Sequence, residues 1–405
     1  MKLRNQLLAL FCLGLFGAAG VLYVRAWVVP KTFGVILFLS DSLVAPHLTA
    51  ARLYEGGAEH RLALEGFPHL ALLRNSADDF AVPDAASAGT AFATGRKVNH
   101  RRLSVDASGK SLQTLLEIAR KQGRSVGLVT NGRLTDPTLA AFYAHGTDAR
   151  DHGAVAKQFV DANIDVALGG GAAIFSPNEN AGSGESLLAA MQRKGSEFVR
   201  TKAELESAGS YRNSALLGLF ADADLAHADQ IDAASQQPSL ADMVRRAIQF
   251  LQTDRKGYLL IVDATLATRA AERNEGERVI QETVALDRAI AVATRYAGEK
   301  SLVIAAGKHG VGGMSLNGFP LKQDHGIALL GVNPVGYPAI TWATGPSGAG
   351  EAPPPRPKTE PAAFYMPAAV HTAQDVIAVG RGEGAEKLRG FLDNTAVFNI
   401  LRDAL

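Results

Sequence analysis

Short runs of β-branched and leucine residues recur along this chain, at 34–39, 125–130, 164–168, 258–262, 302–305 and 376–379. A strand that is apolar on both faces cannot present one face to water, so each run predicts a strand buried on both sides. Between the runs, segments 111–121, 240–252 and 277–296 carry apolar residues at the spacing of a helix with one buried stripe. Alternation of such strands and helices predicts an α/β fold, a three-layer α/β/α sandwich with a largely parallel central sheet. Ligands are then expected at the carboxyl ends of the strands. With 47% hydrophobic residues in 405, the chain can bury a core of that size. Residues 27–405 read as a single domain. Segment 345–361, rich in Pro, Gly and Ala and containing Pro353-Pro354-Pro355, reads as a surface loop within it.

The N-terminus has a different character. Lys2 and Arg4 precede an uncharged stretch, 7–24, that ends at Arg25. Basic flank and apolar run together read as an export signal over 1–26, either a cleaved signal peptide or a signal anchor that holds the chain on a membrane. The body is therefore expected in the cell envelope, on its periplasmic or extracellular side, anchored or secreted. The single cysteine, Cys12, lies inside that segment, which excludes an internal disulfide and a thiolate metal cage in the body. Any metal would need His, Asp and Glu. Lys and Arg number 41 against 40 Asp and Glu, leaving no basic footprint for nucleic acid.

Polar residues gather where the strands end: Asp41 after the first, Thr130 through Thr138 after the second, Asp263 after the fourth, and Lys308 with His309 after the fifth. A helix cap explains any one of them alone. Their recurrence at several strand ends points to a site. His100, His145 and His152 have no partners at ligand spacing and read as structural or solvated.

Longer motifs carry a resemblance. Val35-Ile36-Leu37-Phe38-Leu39-Ser40-Asp41 is followed by Thr49-Ala50-Ala51-Arg52-Leu53-Tyr54, then by Pro83-Asp84-Ala85-Ala86-Ser87-Ala88-Gly89 running on to Gly95. Next come Arg133-Leu134-Thr135-Asp136-Pro137-Thr138 and Ala141-Phe142-Tyr143-Ala144-His145. Later landmarks are Gln281-Glu282-Thr283, Gly312-Gly313, Leu316-Asn317-Gly318, His371-Thr372-Ala373-Gln374-Asp375-Val376 and Leu392-Asp393-Asn394-Thr395. From about 35 to 401 the chain resembles the alkaline phosphatase family. That resemblance implies a helix-borne serine attacking phosphate, two zinc ions clamping the attacking and leaving oxygens, a supporting magnesium site, a phosphomonoester substrate and a homodimer.

Several positions depart from the family's pattern. Read without gaps, Ala85 stands at the nucleophile, and alanine has no oxygen with which to form a phosphoseryl intermediate. Ser87 is the fallback. It requires a slip of two residues, which loses the spacing to Gly95 and rotates the side chain by roughly 200° around the helix. At the zinc positions the family's Glu, Asp and His fall on Asp263, Thr268 and Glu272, and its Asp-His pair becomes Lys308-His309; His371 is kept. An ammonium ~4 Å from a divalent ion meets a repulsion of about 8 kcal/mol at an effective dielectric near 20. Lys308 can itself take the vacated place. Ala149 falls at the phosphate-binding arginine, leaving Arg150 and Lys308 as candidate phosphate contacts. The third-metal set survives with oxygen on every member: Asp41, Asp136, Thr138 and Asp263. Either that set holds one magnesium, or Lys308 pairs with Asp41 and no metal binds. Four carboxylates against one ammonium cannot balance two zincs and a magnesium, so zinc is expected to be weak or absent.

Two functions of different class follow. One is a pseudo-phosphatase, the fold kept without its reaction and used for binding or structure. The other is an active phosphomonoesterase working through Ser87 or a metal-bound water. A third is a sensor or scavenger whose remaining pocket binds a phosphorylated ligand through Lys308, His309 and Arg150.

Overall fold

The computed structural model describes residues 2–27, 32–176, 186–209, 215–232, 234–318, 336, 338–349 and 358–405. Its first eight strands are β1 (Gly34–Ser40), β2 (His69–Arg74), β3 (Ser125–Arg133), β4 (Val166–Gly170), β5 (Glu197–Val199), β6 (Leu216–Leu219), β7 (Tyr258–Ala264) and β8 (Leu302–Gly307). They are followed by β9 (Gly310–Val311), β10 (Ser315–Leu316), β11 (Ile340–Gly345), β12 (Ala362–Tyr365), β13 (His371–Thr372), β14 (Val376–Arg381) and β15 (Arg389–Asp393). One sheet takes ten of them, in the order β15-β2-β14-β8-β1-β7-β3-β4-β6-β5. Only β14 runs against its neighbours β2 and β8; every other pairing in that sheet is parallel.

The apolar runs are buried on both faces because successive side chains of a strand point to opposite sides. Along β1, Val35, Leu37 and Leu39 enter one core with Phe159 and Leu401, while Ile36 and Phe38 enter a second core with Met243, Ile248 and Ile290. Helices on each side close the three-layer sandwich. Helix Leu240–Leu251 starts at Ser239, whose hydroxyl accepts from Asp242 N, and helix Leu115–Lys121 starts at Thr114, which accepts from Glu117 N. The expected helix at 111–121 is thereby shortened at its front, where Thr114 competes for the backbone as a cap.

Residues 2–27 form a helix, Lys2–Trp27, whose side chains from Arg4 to Gly20 are exposed. Among the described residues no helix is long and apolar enough to cross a membrane. Residues 350–357 of the expected surface loop lie outside the described residues. At its ends the loop reading is corrected: Gly345 closes β11, and Glu360 is buried, bonded to Gly276 N and Trp342 Nε1.

Candidate functional site

Strand register sets the site. Leu39 of β1 pairs with Asp263 of β7, and Ser40 pairs with Gly307 of β8, so Asp41, Asp263 and Lys308 leave three adjacent strands at the same end of the sheet. Because β14 is antiparallel, the residues before it, with His371, return to that end.

The helix Ala85–Thr94 points its N-terminus here. Asp84 caps it, accepting from Ser87 N at 2.8 Å; Ser87 Oγ in turn accepts from Asp84 N at 3.1 Å and donates to Asp84 O at 3.2 Å. These reciprocal bonds occupy Ser87, which is 1% exposed, and place it at the third position of the helix rather than at its head. Ala85 is the first helical residue and is half-buried. The helix fits closely against the segment carrying Thr138, because Gly89 has no side chain: a Cβ there would stand 2.7 Å from Thr138 O.

Lys308 is the centre of the site. Its ammonium lies 2.9 Å from Asp263 Oδ1 and 3.5 Å from Asp41 Oδ2, and all three side chains are at most 3% exposed. Asn75 holds the lysine's backbone, donating to Lys308 O at 2.8 Å. Burial pulls the lysine's pKa down, but Asp263 and Asp41 outweigh it and keep the ammonium charged, with a pKa above the ordinary value. Thr268 donates its hydroxyl to Asp41 Oδ2. For Asp41, burial favours the neutral form, yet His309, Lys308 and Thr268 together hold it down at about 2.

His309 and His371 stack at 3.9 Å between ring centroids, with an interplanar angle of 23°. His371 Nδ1 lies 3.0 Å from Pro83 O; a carbonyl only accepts, so this nitrogen carries the proton. His309 is fully buried, and burial lowers its pKa to about 3, leaving it neutral. Glu272 is partly exposed, and burial raises its pKa; it sits 3.9 Å from Arg269.

The third-metal residues are brought to one end of the sheet but are turned to other partners. Asp136 accepts from Arg133 N at 3.1 Å and faces Arg269 Nη2 at 3.4 Å; Arg269 also donates to Asp224 Oδ2 at 3.2 Å. Burial pushes Asp136 up to about 6, Asp224 and Asp263 adding to that and Arg269 opposing it. Thr138 Oγ1 donates to Ala85 O at 3.4 Å. Sequence reasoning missed Arg269 and Asp224. The one available signal was Arg269's place beside Thr268.

Zinc and magnesium do not fit these residues. Asp41 Oδ1, Asp263 Oδ2 and both ring nitrogens of His309 are buried without a hydrogen-bond partner, so the pocket has unmet polar capacity. Zinc, however, requires about four ligands, and the position between Asp41 and Asp263 already faces an ammonium. Among the described residues no group of three or more His, Cys, Asp and Glu stands close enough to hold a metal ion. Of the two alternatives for the third-metal set, the contact that the second requires, Lys308 with Asp41, is present at 3.5 Å.

The proposed phosphate contacts separate. Lys308 is enclosed, while the Arg150 side chain is 69% exposed and lies 3.4 Å from Asp148. Ala149 is buried. Beside the helix head stands the backbone of Arg101, whose N donates to Asp84 Oδ2 at 2.7 Å, while its side chain pairs with Asp148. Arg101 has a φ of +66°, a conformation legible only in the structure. Of the other histidines, His145 bonds Glu117 Oε1 at 3.0 Å and Ser104 O at 2.9 Å, a structural role as expected.

Comparisons with known proteins bear on the fold and the family. The family model described as alkaline phosphatase matches residues 33–336. Alkaline phosphatase 4 of Bacillus subtilis (strain 168) is 30% identical over 310 residues, which cover 73% of this chain and 65% of that protein, just under two thirds of its length. The crystal structure of Thermus thermophilus alkaline phosphatase superimposes with a TM-score of 0.76 at 23% identity, over 93% of this chain and 92% of that one. A variant of alkaline phosphatase TAB5, described with magnesium bound in its M3 site, gives 0.72 at 21%, over 93% and 98%. The two structures speak for the fold, and the family model and the relative speak for descent: this chain belongs to the alkaline phosphatase family.

Proposed function

We propose that this protein is an exported pseudo-phosphatase, a member of its family whose reaction centre has been dismantled and whose role is binding or structure. The observation that carries the reading is the Lys308 ammonium seated against Asp263 and Asp41, where the family resemblance puts a zinc ligand. Ala85 supports it, since the residue at the helix head has no nucleophilic oxygen. The rival enzyme reading needs either Ser87, whose hydroxyl is spent on the helix cap, or a water held by a metal for which no ligand group is assembled among the described residues. A phosphorylated small molecule remains the natural ligand class of the fold, but Lys308 is too enclosed to reach one.

The deciding experiment is an assay of the purified body from Trp27 onward against a generic aryl phosphate, with zinc and magnesium added. Hydrolysis at the background rate is expected. Robust turnover abolished by Ser87→Ala would overturn the reading, as would turnover that survives Ser87→Ala but is lost on metal removal. Export rests on Lys2, Arg4 and the apolar stretch behind them. A fusion of residues 1–40 to a reporter should place it outside the cytoplasmic membrane, and a cytoplasmic reporter would refute the assignment.

A further inference from the structure

We infer that Arg269 does at the third-metal position what Lys308 does at the zinc position, so that two side-chain cations of this chain have taken the places of metal ions. The inference rests on the reading of the centre as one that has lost its reaction, and it adds the means by which the buried carboxylates were stabilised afterwards.

The geometry divides the carboxylates between the two cations. Lys308 meets Asp263 and Asp41 from β8. Arg269, one residue beyond Thr268 on helix Leu266–Glu272, presents Nη2 to both oxygens of Asp136, at 3.4 and 3.5 Å, and Nε to Asp224 at 3.2 Å. Arg133 faces the other oxygen of Asp224 at 3.4 Å, so Asp224 joins two guanidinium groups. Asp136 is 6% exposed at its side chain, and a carboxylate so enclosed is costly to keep charged without a cation. A planar guanidinium bridges two carboxylates with fixed geometry, as a metal would, but is covalently held and cannot be chelated away. A divalent ion entering between Asp136 and Asp263 would have to displace both resident charges.

The test is thermal denaturation of the purified body, with chelator and with millimolar magnesium or zinc, together with metal analysis. Wild type should contain no stoichiometric metal, and its Tm should be unchanged by chelator or by either ion. Arg269→Met should lower Tm by about 4 °C or more, and millimolar magnesium should restore part of the loss by binding the exposed carboxylates. Arg269→Lys should keep the wild-type indifference to magnesium. Should Arg269→Met fail to fold, Asp136→Asn combined with it should recover a folded protein, because the carboxylate that needed a cation is gone. A stoichiometric metal in wild type, a Tm that falls with chelator, or an Arg269→Met protein with unchanged Tm and no response to magnesium would each overturn the inference. Bound magnesium without turnover would sink this inference and leave the pseudo-phosphatase reading standing; turnover by the metal-free protein would do the reverse.

Discussion

Lys308 and Asp263 form an ion pair at 2.9 Å in which each side chain is 1% exposed. Desolvation of both charges offsets most of their attraction, so the pair itself adds little net stability, but removing one partner strands the other. Lys308→Met, which keeps much of the volume, leaves Asp263 and Asp41 buried without their cation. A loss of about 3–5 kcal/mol is expected, read as a lower urea midpoint at unchanged slope.

Lys308→Asp tests the lysine as the barrier to zinc. The substitution replaces a positive charge by a negative one beside Asp41 and His309, restoring the family's acidic residue before His309. Zinc affinity should rise over wild type in a calorimetric titration, and His309→Ala in the same background should remove the gain. Hydrolysis should still be absent, since position 85 has no hydroxyl; only Ala85→Ser combined with Lys308→Asp supplies both. Tight zinc binding by wild type, unaltered in the variant, would remove the main support for a dismantled centre.

Ser87→Ala separates a cap from a nucleophile. The hydroxyl accepts from Asp84 N, so its loss should destabilise the protein by about 0.5–1.5 kcal/mol, the cap made by Asp84 itself remaining. Phosphatase activity should stay at background in both proteins. A change in turnover without a change in stability would reverse the assignment.

Glu360 predicts a pH dependence. Burial raises its pKa from 4.5 to about 7, against the opposing bonds from Trp342 Nε1 and Gly276 N. As pH rises from 4.5 toward 7, the unfolded chain releases this proton while the folded protein retains it, so stability falls through that window and levels off above it. The full effect is on the order of 3 kcal/mol. Glu360→Gln keeps an acceptor oxygen and cannot ionise, so its stability measured from pH 5 to 8 should lack this decline, and it should exceed wild type most at pH 8.

The sequence alone determined the layers. Runs such as Val35 through Leu39 are apolar on both faces, which leaves a buried strand as their stable state whatever surrounds them. The departures at Ala85 and Lys308 are legible through the family resemblance, which implies a serine and an aspartate at those positions. Tertiary structure decided which charges meet. The pairing of Lys308 with Asp263 follows from the register of β1 between β7 and β8. The turning of Arg269 toward Asp136 follows from the rotation of helix Leu266–Glu272, which joins residues separated by 133 positions. The same holds for Glu360, which sits in a stretch of loop composition yet is enclosed by Trp342 and the head of the Gly276–Tyr296 helix. Local sequence carries the period of an element and the chemistry of a side chain. It does not carry the partner, because long-range contacts are chosen by strand register and helix rotation, which depend on the packing of the whole sheet.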